Sequence, residues 1–248
     1  MHKLYVVHSS HPAEAVRKAL ALKGIPHKTV ELLIPTHAAL MRLRFGTRTV
    51  PALKLDGGAK VSGSRNIMRT LDALVPDPPL LPSQDEPAAR AAVLDAERWG
   101  DEVLQPLVRR IVWAALKRNP DAIPSYQEAS QLPRLPRPVV KLVAPGVIAI
   151  ERRMNGASDG AIRSDLRALP AHLDQIDGWI AEGVLGADAG QPNAADLQIG
   201  ASLRLLATVG DARPRLEGRP AAALAMRLFE DFPGDIPAGA FPPAWLSR

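Results

Sequence analysis

Short apolar runs alternate with helical periodicity over the first 80 residues. Residues 4–7 form a run of β-favouring side chains, and the apolar positions of residues 13–22 then recur at helical spacing before Gly24. Residues 27–33 give a second β-rich run. This order predicts a β-α-β unit with a right-handed crossover and two parallel strands.

The pattern continues with a predicted hairpin and a helix. Residues 52–55 predict a third strand that ends at an Asp-Gly-Gly sequence, and residues 60–62 predict its antiparallel partner. Ser64 opens a helix with one apolar face, which ends before a proline-rich stretch. We therefore expect an α/β domain with a mixed four-stranded sheet, in the order βαβ-ββα, at residues 1–80.

Beyond this domain the strand pattern disappears and helical periodicity takes over. We expect a linker at residues 81–90 and an all-α helical bundle at residues 91–248. Within the bundle, residues 119–145 contain six prolines, which predicts an irregular excursion or short broken helices. The helices are expected to resume near residue 147.

The composition of the 248 residues removes several classes of function. No stretch approaches the roughly 18 apolar residues of a membrane-spanning helix, and the apolar run near the start is shorter than a signal-peptide core. We therefore expect a cytoplasmic protein without membrane insertion. The chain has no cysteine, which excludes disulfides, thiolate metal sites and a cysteine nucleophile. Thiol chemistry would need a thiol brought by the substrate.

The excess of positive over negative charge lies wholly in the first third of the chain. Residues 1–82 hold 12 Lys and Arg against 5 Asp and Glu, whereas the remainder holds 19 against 21. This bias suits a small anionic ligand, and it equally fits a solvated surface. Only 4% of residues are aromatic and no basic run is interleaved with aromatic rings, so we expect no nucleic-acid partner.

Four segments together resemble the glutathione S-transferase superfamily, which joins a thioredoxin-like α/β domain to an all-helical domain. Residues 16–26 look like the family's first helix and its exit turn, and residues 49–53 resemble its Val-Pro segment. Residues 62–67 are similar to its acidic-Ser-x-x-Ile motif, and residues 192–197 to its Ser/Thr-x-x-Asp capping box. No segment is specific alone, but four in this order are.

The resemblance implies a transferase that uses glutathione, or a related low-molecular-weight thiol, as cosubstrate. It would conjugate or reduce a small hydrophobic electrophile, and it would work as a homodimer without a metal. A non-catalytic member that binds a ligand or a protein partner through the same cleft is the alternative from another class. A basic nucleic-acid-binding module is a third.

The resemblance also assigns residues to the thiol-binding site. It implies a cis peptide before Pro51, which leaves the backbone N–H and C=O of Val50 free to pair with the cysteinyl part of glutathione. Ser64 and Arg65 begin a helix whose free N–H groups would hold the γ-glutamyl carboxylate. Ser64 could equally be an ordinary helix cap. His37 is a candidate for the glycyl carboxylate, and Arg42 and Arg44 are its rivals.

The resemblance implies Ser10 as the catalytic residue, because the family's catalytic position lies seven residues before the Arg of the first-helix motif, which is Arg17 here. A free thiol has a pKa near ~8.5, and a hydroxyl that donates a hydrogen bond to sulfur favours the thiolate. The thiolate would then attack the electrophile. Ser9 takes this role if the register is shifted by one, and both serines could be plain turn residues. We interpret His8 and His11 as local polar groups.

The remaining assignments concern the missing acidic residue and the second domain. Gly63 stands where the family commonly has an acidic residue or Gln that meets the ammonium group of the ligand, so Asp72 or a partner subunit would have to supply that contact. Arg109 and Trp113 are candidates for the hydrophobic-substrate pocket.

Two further segments of the second domain carry structural predictions. The spacing of Asn193 and Asp196 predicts a structural capping pair, not a metal site. Residues 135–143 mix cationic and apolar side chains, and we expect a lid or a subunit contact there, because their prolines would break a membrane-binding helix.

Overall fold

A four-stranded mixed sheet forms the centre of the first domain in the computed structural model, which describes residues 1–186 and 191–246. The strands run in the order β2-β1-β3-β4. β1 and β2 are parallel, with Leu4 opposite Thr29, and both pairs that contain β3 are antiparallel. The parallel unit and the hairpin are therefore confirmed. The strands are β1 His2–Val6, β2 His27–Glu31, β3 Ala52–Lys54 and β4 Lys60–Ser62.

Three helices surround this sheet, and one of them was not predicted. They are α1 His11–Leu22, α2 His37–Phe45 and α3 Ser64–Leu74. α2 buries only Ala38 and Met41, and its Leu43 is 87% exposed. Because its apolar positions do not form a stripe, periodicity gave no signal for this helix. It ends at Gly46, whose φ of 72° suits a left-handed helix cap.

The second domain is helical, and its first long helix contains a π-helical turn. α4 Pro87–Trp99 leads through π-helical Gly100–Leu104 directly into α5 Gln105–Arg118. A Cβ at Gly100 would lie 2.8 Å from Cγ1 of Ile199, so glycine allows the next layer to pack closely here. The later helices are α6 Arg137–Met154, α7 Asp159–Ala181, α8 Ala194–Leu206, α9 Arg213–Leu216, α10 Pro220–Leu228 and α11 Pro243–Leu246.

The proline-rich residues 119–145 contain more regular structure than we expected. Pro120–Gln127 form a 3₁₀ helix, and α6 begins at Arg137, about ten residues before the expected resumption. Pro138 lies in the first turn of α6, where no backbone donor is needed, and Pro145 lies inside the helix. Burial of Val140, Ala144 and Ile148 holds this helix together. The expectation of an irregular excursion or short broken helices is confirmed for residues 119–136 and was wrong for residues 137–145, which are helical.

α8 lies at the centre of the molecule, and nearly all of its residues are buried. It packs against α1 of the first domain and against α4 and α10 of the second, so one apolar core runs through both domains. α3 ends at Leu74 and α4 begins at Pro87, inside the segment expected as a linker. None of the described helices is long and apolar enough to cross a membrane.

Candidate functional site

The peptide before Pro51 is cis, and it lies beside the start of α3. Pro51 C=O accepts a hydrogen bond from the Gly63 N–H at 3.0 Å, which ties the β3 approach to the first turn of α3. Within residues 1–186 and 191–246, the backbone N–H and C=O of Val50 have no hydrogen-bond partner. Two further cis prolines, Pro35 and Pro78, were not expected.

A cavity of about 240 Å³ opens at the start of α3. Its lining is strongly polar and consists of Gly63, Ser64, Arg65, Asn66, Arg69 and Asp101. Ser64 is only 3% exposed, yet its hydroxyl makes no hydrogen bond in the described chain. A nearly buried hydroxyl at a helix N-terminus, together with the free N–H groups of the first turn, is suited to a carboxylate ligand.

Two acidic residues of the second domain pair with the arginines of this cavity, and one of them, Asp101, lines it. Glu97 is fully buried and is paired with Arg69, while Oδ2 of Asp101 lies 3.9 Å from Nη1 of Arg65. Burial raises the pKa of both carboxyls above their ordinary values, even though the neighbouring arginines lower it. The cavity therefore offers cationic and anionic groups side by side.

The loop before α1 places Ser9 and Ser10 in different environments. Ser9 has a φ of 63° and donates its hydroxyl to the C=O of Tyr126 at 2.6 Å. Ser10 forms the N-cap position of α1, and its hydroxyl has no partner among the described residues. Of the two serines, Ser10 is the one with a free hydroxyl.

Residues 125–131 of the second domain lie over this loop, and we call them the strap. His8 donates to the C=O of Glu128 at 2.7 Å, next to the bond from Ser9. The carboxylate of Glu31, at the end of β2, accepts from Ser130 Oγ at 2.7 Å and from the Gln131 N–H at 2.9 Å.

The Glu31 side chain is only 2% exposed. Burial alone would raise the pKa of Glu31, but the hydrogen bonds from Ser130 and Gln131, together with nearby His8, outweigh it and hold the pKa below its ordinary value. The strap is thus fastened to a buried ionised carboxylate.

Comparison with known proteins shows which fold this arrangement shares. Residues 4–79 match the family model described as glutathione S-transferase, N-terminal domain. The chain also superposes on glutathione transferase F7 from Populus trichocarpa, with a TM-score of 0.63, 15% identity and complete coverage of both chains. The match to the family model covers residues 4–79, and the whole chain has the fold of the glutathione S-transferases.

Two further similar structures were solved with glutathione. A glutathione S-transferase from Methylobacillus flagellatus with glutathione bound is 20% identical, with a TM-score of 0.59 and 93% coverage of each chain. Glutaredoxin 2 from Salmonella typhimurium, in complex with glutathione, is 20% identical, with a TM-score of 0.54 and coverage of 94% of this chain and 96% of that one. No curated protein matches the chain in sequence. The superfamily resemblance and the fold are confirmed, and the class and the serine type stay predictions.

Asp101, and not the expected Asp72, is the acidic residue that lines the α3 cavity. Asp72 is bound to Nζ of Lys23 at 2.8 Å and to the Leu80 N–H at 2.9 Å, and it does not line the cavity. Asp101 lines the cavity beside Gly63 instead. No local sequence signal marks Asp101, because its position depends on how the second domain packs on α3.

The structure does not bring every candidate to the α3 cavity. Ser10, Val50 and His37 do not line it. His37 is partly buried, and burial lowers its pKa. His11 is buried against Ser202, with 3.1 Å between Nδ1 and Oγ, and burial followed by the charge of Arg109 holds its pKa well below the ordinary value. His11 is therefore a neutral interface residue.

The candidates from the helical domain lie in its interior. Arg109 donates to Gln105 Oε1 at 2.6 Å and to Asn155 Oδ1 at 3.4 Å. Trp113 is partly buried against the core, and neither Arg109 nor Trp113 lines the α3 cavity. Their role in a hydrophobic-substrate pocket stays a prediction.

Two polar residues of the helical domain form the N-terminal cap of a helix. Asn193 and Asp196 cap α8 reciprocally, with both bonds at 3.0 Å. Within the described ranges, no group of three or more His, Asp and Glu could hold a metal ion.

Proposed function

We propose that this protein binds glutathione, or a related low-molecular-weight thiol, and uses it to conjugate or reduce a small hydrophobic electrophile. The observation that carries the proposal is the α3 cavity. It presents the unpartnered Ser64 hydroxyl and the free N–H groups of a helix start, next to cations and one carboxylate. These groups match the carboxylate and ammonium of an α-amino acid, which is what the γ-glutamyl end of glutathione provides.

The assignment of the two ends of the ligand follows from the charges. The γ-glutamyl carboxylate would accept from Ser64 and the first-turn N–H groups of α3. The ammonium would lie against Asp101, which would take the place of the acidic residue that the family commonly has at the position of Gly63. The unpaired backbone groups of Val50 would pair with the cysteinyl residue as in a short antiparallel strand, because they have no partner of their own.

Ser10 would act on the sulfur of the bound thiol. Its hydroxyl is free and stands at the N-cap position of α1, where the helix dipole also favours an anion. Donation of this hydroxyl to sulfur would stabilise the thiolate. The thiolate would then form a bond to an electrophilic carbon and displace its leaving group, such as the halide ion of an aryl halide, without any covalent bond to the serine. A homodimer and a cytoplasmic location belong to the same proposal.

Thermal shift with glutathione tests the binding step. A ligand that binds only the folded state at 100 times its Kd raises the free energy of unfolding by about 2.7 kcal/mol. We expect stabilisation of the wild type by millimolar glutathione, a clear loss of it in Ser64→Ala, and no loss in Ser83→Ala, an exposed serine of the interdomain segment. No shift with the wild type would remove glutathione as the cosubstrate.

A non-catalytic member that binds the same ligand is the second candidate, and two observations favour it. The loop that carries Ser10 is fastened to the strap through Ser9 and His8, and Ser10 lies outside the α3 cavity. Turnover of an aryl halide separates the two candidates. Stabilisation by glutathione without any turnover would favour the binding protein over the enzyme.

A further inference from the structure

A second and larger cleft lies entirely within the helical domain. It has a volume of about 720 Å³ and is formed by the end of α5, the start of the 3₁₀ helix, the second half of α6 and the turn into α7. No residue of the first domain lines it. Its size falls within the range of sites that hold small organic ligands, and the proposed thiol site does not use it.

The walls of this cleft are apolar. They are made by side chains from the 3₁₀ helix, α6 and the turn after it, namely Pro120, Pro145, Ile148, Ala149 and Ala157. Pro145 and Ile148 are brought together only because α6 continues through its internal proline. A ligand that enters the cleft would therefore bury apolar surface.

Three cations stand around these apolar walls. The side chains of Lys117 and Arg153 make no hydrogen bond or ion pair within the described part of the chain. Arg152 donates to the C=O of Ala157 at 2.7 Å and to Asp159 at 3.0 Å, but its Nε is buried without a partner. Asp159 is shared with Arg118, at 3.9 Å.

No carboxylate is among the lining residues. The cleft thus combines apolar walls with two unpaired cations, Lys117 and Arg153, while the anionic partner of Arg152, Asp159, lies outside the lining. A buried donor without a partner is unfavourable, so an anionic ligand that reaches Arg152 would satisfy a group that the protein leaves open.

We propose that this cleft binds a free small anion with an apolar tail, of the medium-chain carboxylate class. The head group pairs with Lys117 and Arg153 and accepts from Arg152, and the tail lies along Pro145 and Ile148. The cations alone would accept any anion, and the walls alone any apolar molecule. Only an amphiphilic anion uses both features.

Isothermal titration with a carboxylate series tests this proposal on the full chain. We expect decanoate to bind, and octanoate and hexanoate to bind progressively more weakly, by about fourfold for each methylene removed. Decanol has the same tail without the charge and should bind at least tenfold more weakly than decanoate. Equal binding of decanol and decanoate would overturn the role of the cations.

Two variants locate the ligand in the cleft. Lys117→Ala combined with Arg153→Ala should weaken decanoate binding at least tenfold, whereas Arg167→Ala, which removes an exposed cation outside the cleft, should leave it unchanged. Ala149→Phe should fill the cleft and block binding without any change of charge. Undiminished decanoate binding in the double variant would overturn the proposal, whether or not Ala149→Phe folds.

Two more measurements separate this site from its alternatives. Stabilisation by glutathione should be the same in the double variant as in the wild type, because the cleft and the α3 cavity share no residue. Sedimentation with phosphatidylglycerol vesicles should show no more binding than with phosphatidylcholine vesicles. Binding to the anionic vesicles, with none to free decanoate, would overturn the assignment of a free ligand.

Discussion

The starts of α1 and α3 each present a serine at or beside the helix N-terminus. The second domain leaves the start of α3 open and covers the loop before α1. At α3 it contributes Asp101 to an open polar cavity of about 240 Å³. At α1 it lays the strap over the loop, where Tyr126 and Glu128 accept from Ser9 and His8. On the proposed function, the α3 cavity would determine the affinity for the thiol, and Ser10 at the start of α1 would determine the reactivity of its sulfur.

The largest expected effect is that of Ser10→Ala on turnover. Loss of one donor to a developing or stabilised anion lowers kcat by roughly 10²-fold. We expect such a loss with an aryl halide and glutathione, with little change in the glutathione-induced thermal shift.

Ser9→Ala is the matched control for this prediction. It removes a hydroxyl that already donates to the strap, so its turnover should stay within a few fold of the wild type. A larger loss in Ser9→Ala than in Ser10→Ala would reverse the assignment of the two serines.

The next effect is that of Glu31→Gln on stability. The buried carboxylate of Glu31 accepts from Ser130 and Gln131, and hydrogen bonds to a charged group are worth about 2 kcal/mol each. Chemical denaturation should show a loss of at least that size. Glu128→Gln makes the same change on an exposed side chain of the strap and should cost less than about 0.5 kcal/mol.

The pH dependence of Glu31→Gln sharpens the same prediction. Because the folded pKa of Glu31 lies below its ordinary value, its contribution to stability is present above about pH 4.3 and is lost as the pH falls through the folded pKa. The difference in unfolding free energy between wild type and Glu31→Gln should therefore shrink on acidification. A constant difference from pH 7 to pH 3 would contradict this account of the strap.

Asp101→Asn tests the open α3 cavity, where the second domain contributes a carboxylate. Loss of the carboxylate that faces the ammonium group should weaken glutathione binding by roughly tenfold, which corresponds to about 1.4 kcal/mol. Titration calorimetry measures this, with Glu102→Gln as the control, because Glu102 is adjacent in sequence but does not line the cavity.

The acid range gives a second readout for Asp101. Burial raises the pKa of Asp101 above the ordinary value of about 3.9, so the carboxylate becomes protonated at a higher pH than an exposed one. Glutathione affinity of the wild type should therefore fall as the pH drops from neutral towards 4. The affinity of Asp101→Asn should fall less, and identical profiles would show that Asp101 does not meet the ligand.

The smallest expected effect is that of Tyr126→Phe. The hydroxyl of Tyr126 bonds to Thr208 Oγ1 at 2.6 Å, and its loss should cost about 1 kcal/mol. Turnover should not change, because the C=O that holds Ser9 remains. Tyr5→Phe, which removes only a 3.5 Å contact with Arg44, should cost less.

Alkaline unfolding provides a check on the Tyr126 environment. Burial raises the pKa of Tyr126 to about 12, so the unfolded chain ionises first and the wild type loses stability as the pH rises through about 10. Tyr126→Phe should lose less over that range. An equal loss in both proteins would contradict the buried position of the phenol.

The features that sequence could predict are those with a local cause. The parallel unit, the hairpin and the start of α3 follow from periodicity and turn residues within short windows. The cis peptide before Pro51 followed from the resemblance of the surrounding residues to a known segment. Each of these needs no knowledge of the second domain.

The features that sequence missed depend on distant packing. α2 buries few apolar side chains. α6 continues through Pro145 because the helix face with Val140, Ala144 and Ile148 is buried. The bond between Ser9 and Tyr126 spans 117 positions, and Asp101 reaches the cavity only through the contact of α3 with the second domain. No local pattern encodes such pairs.

Amide chemical-shift mapping of the ¹⁵N-labelled protein during a glutathione titration tests the central claim most directly. The account predicts saturable shifts that centre on the N–H groups of Val50 and of residues 64–66, with none at the cleft between α5 and α6. Shifts that leave those amides unmoved, at thiol concentrations that saturate the protein, would contradict it.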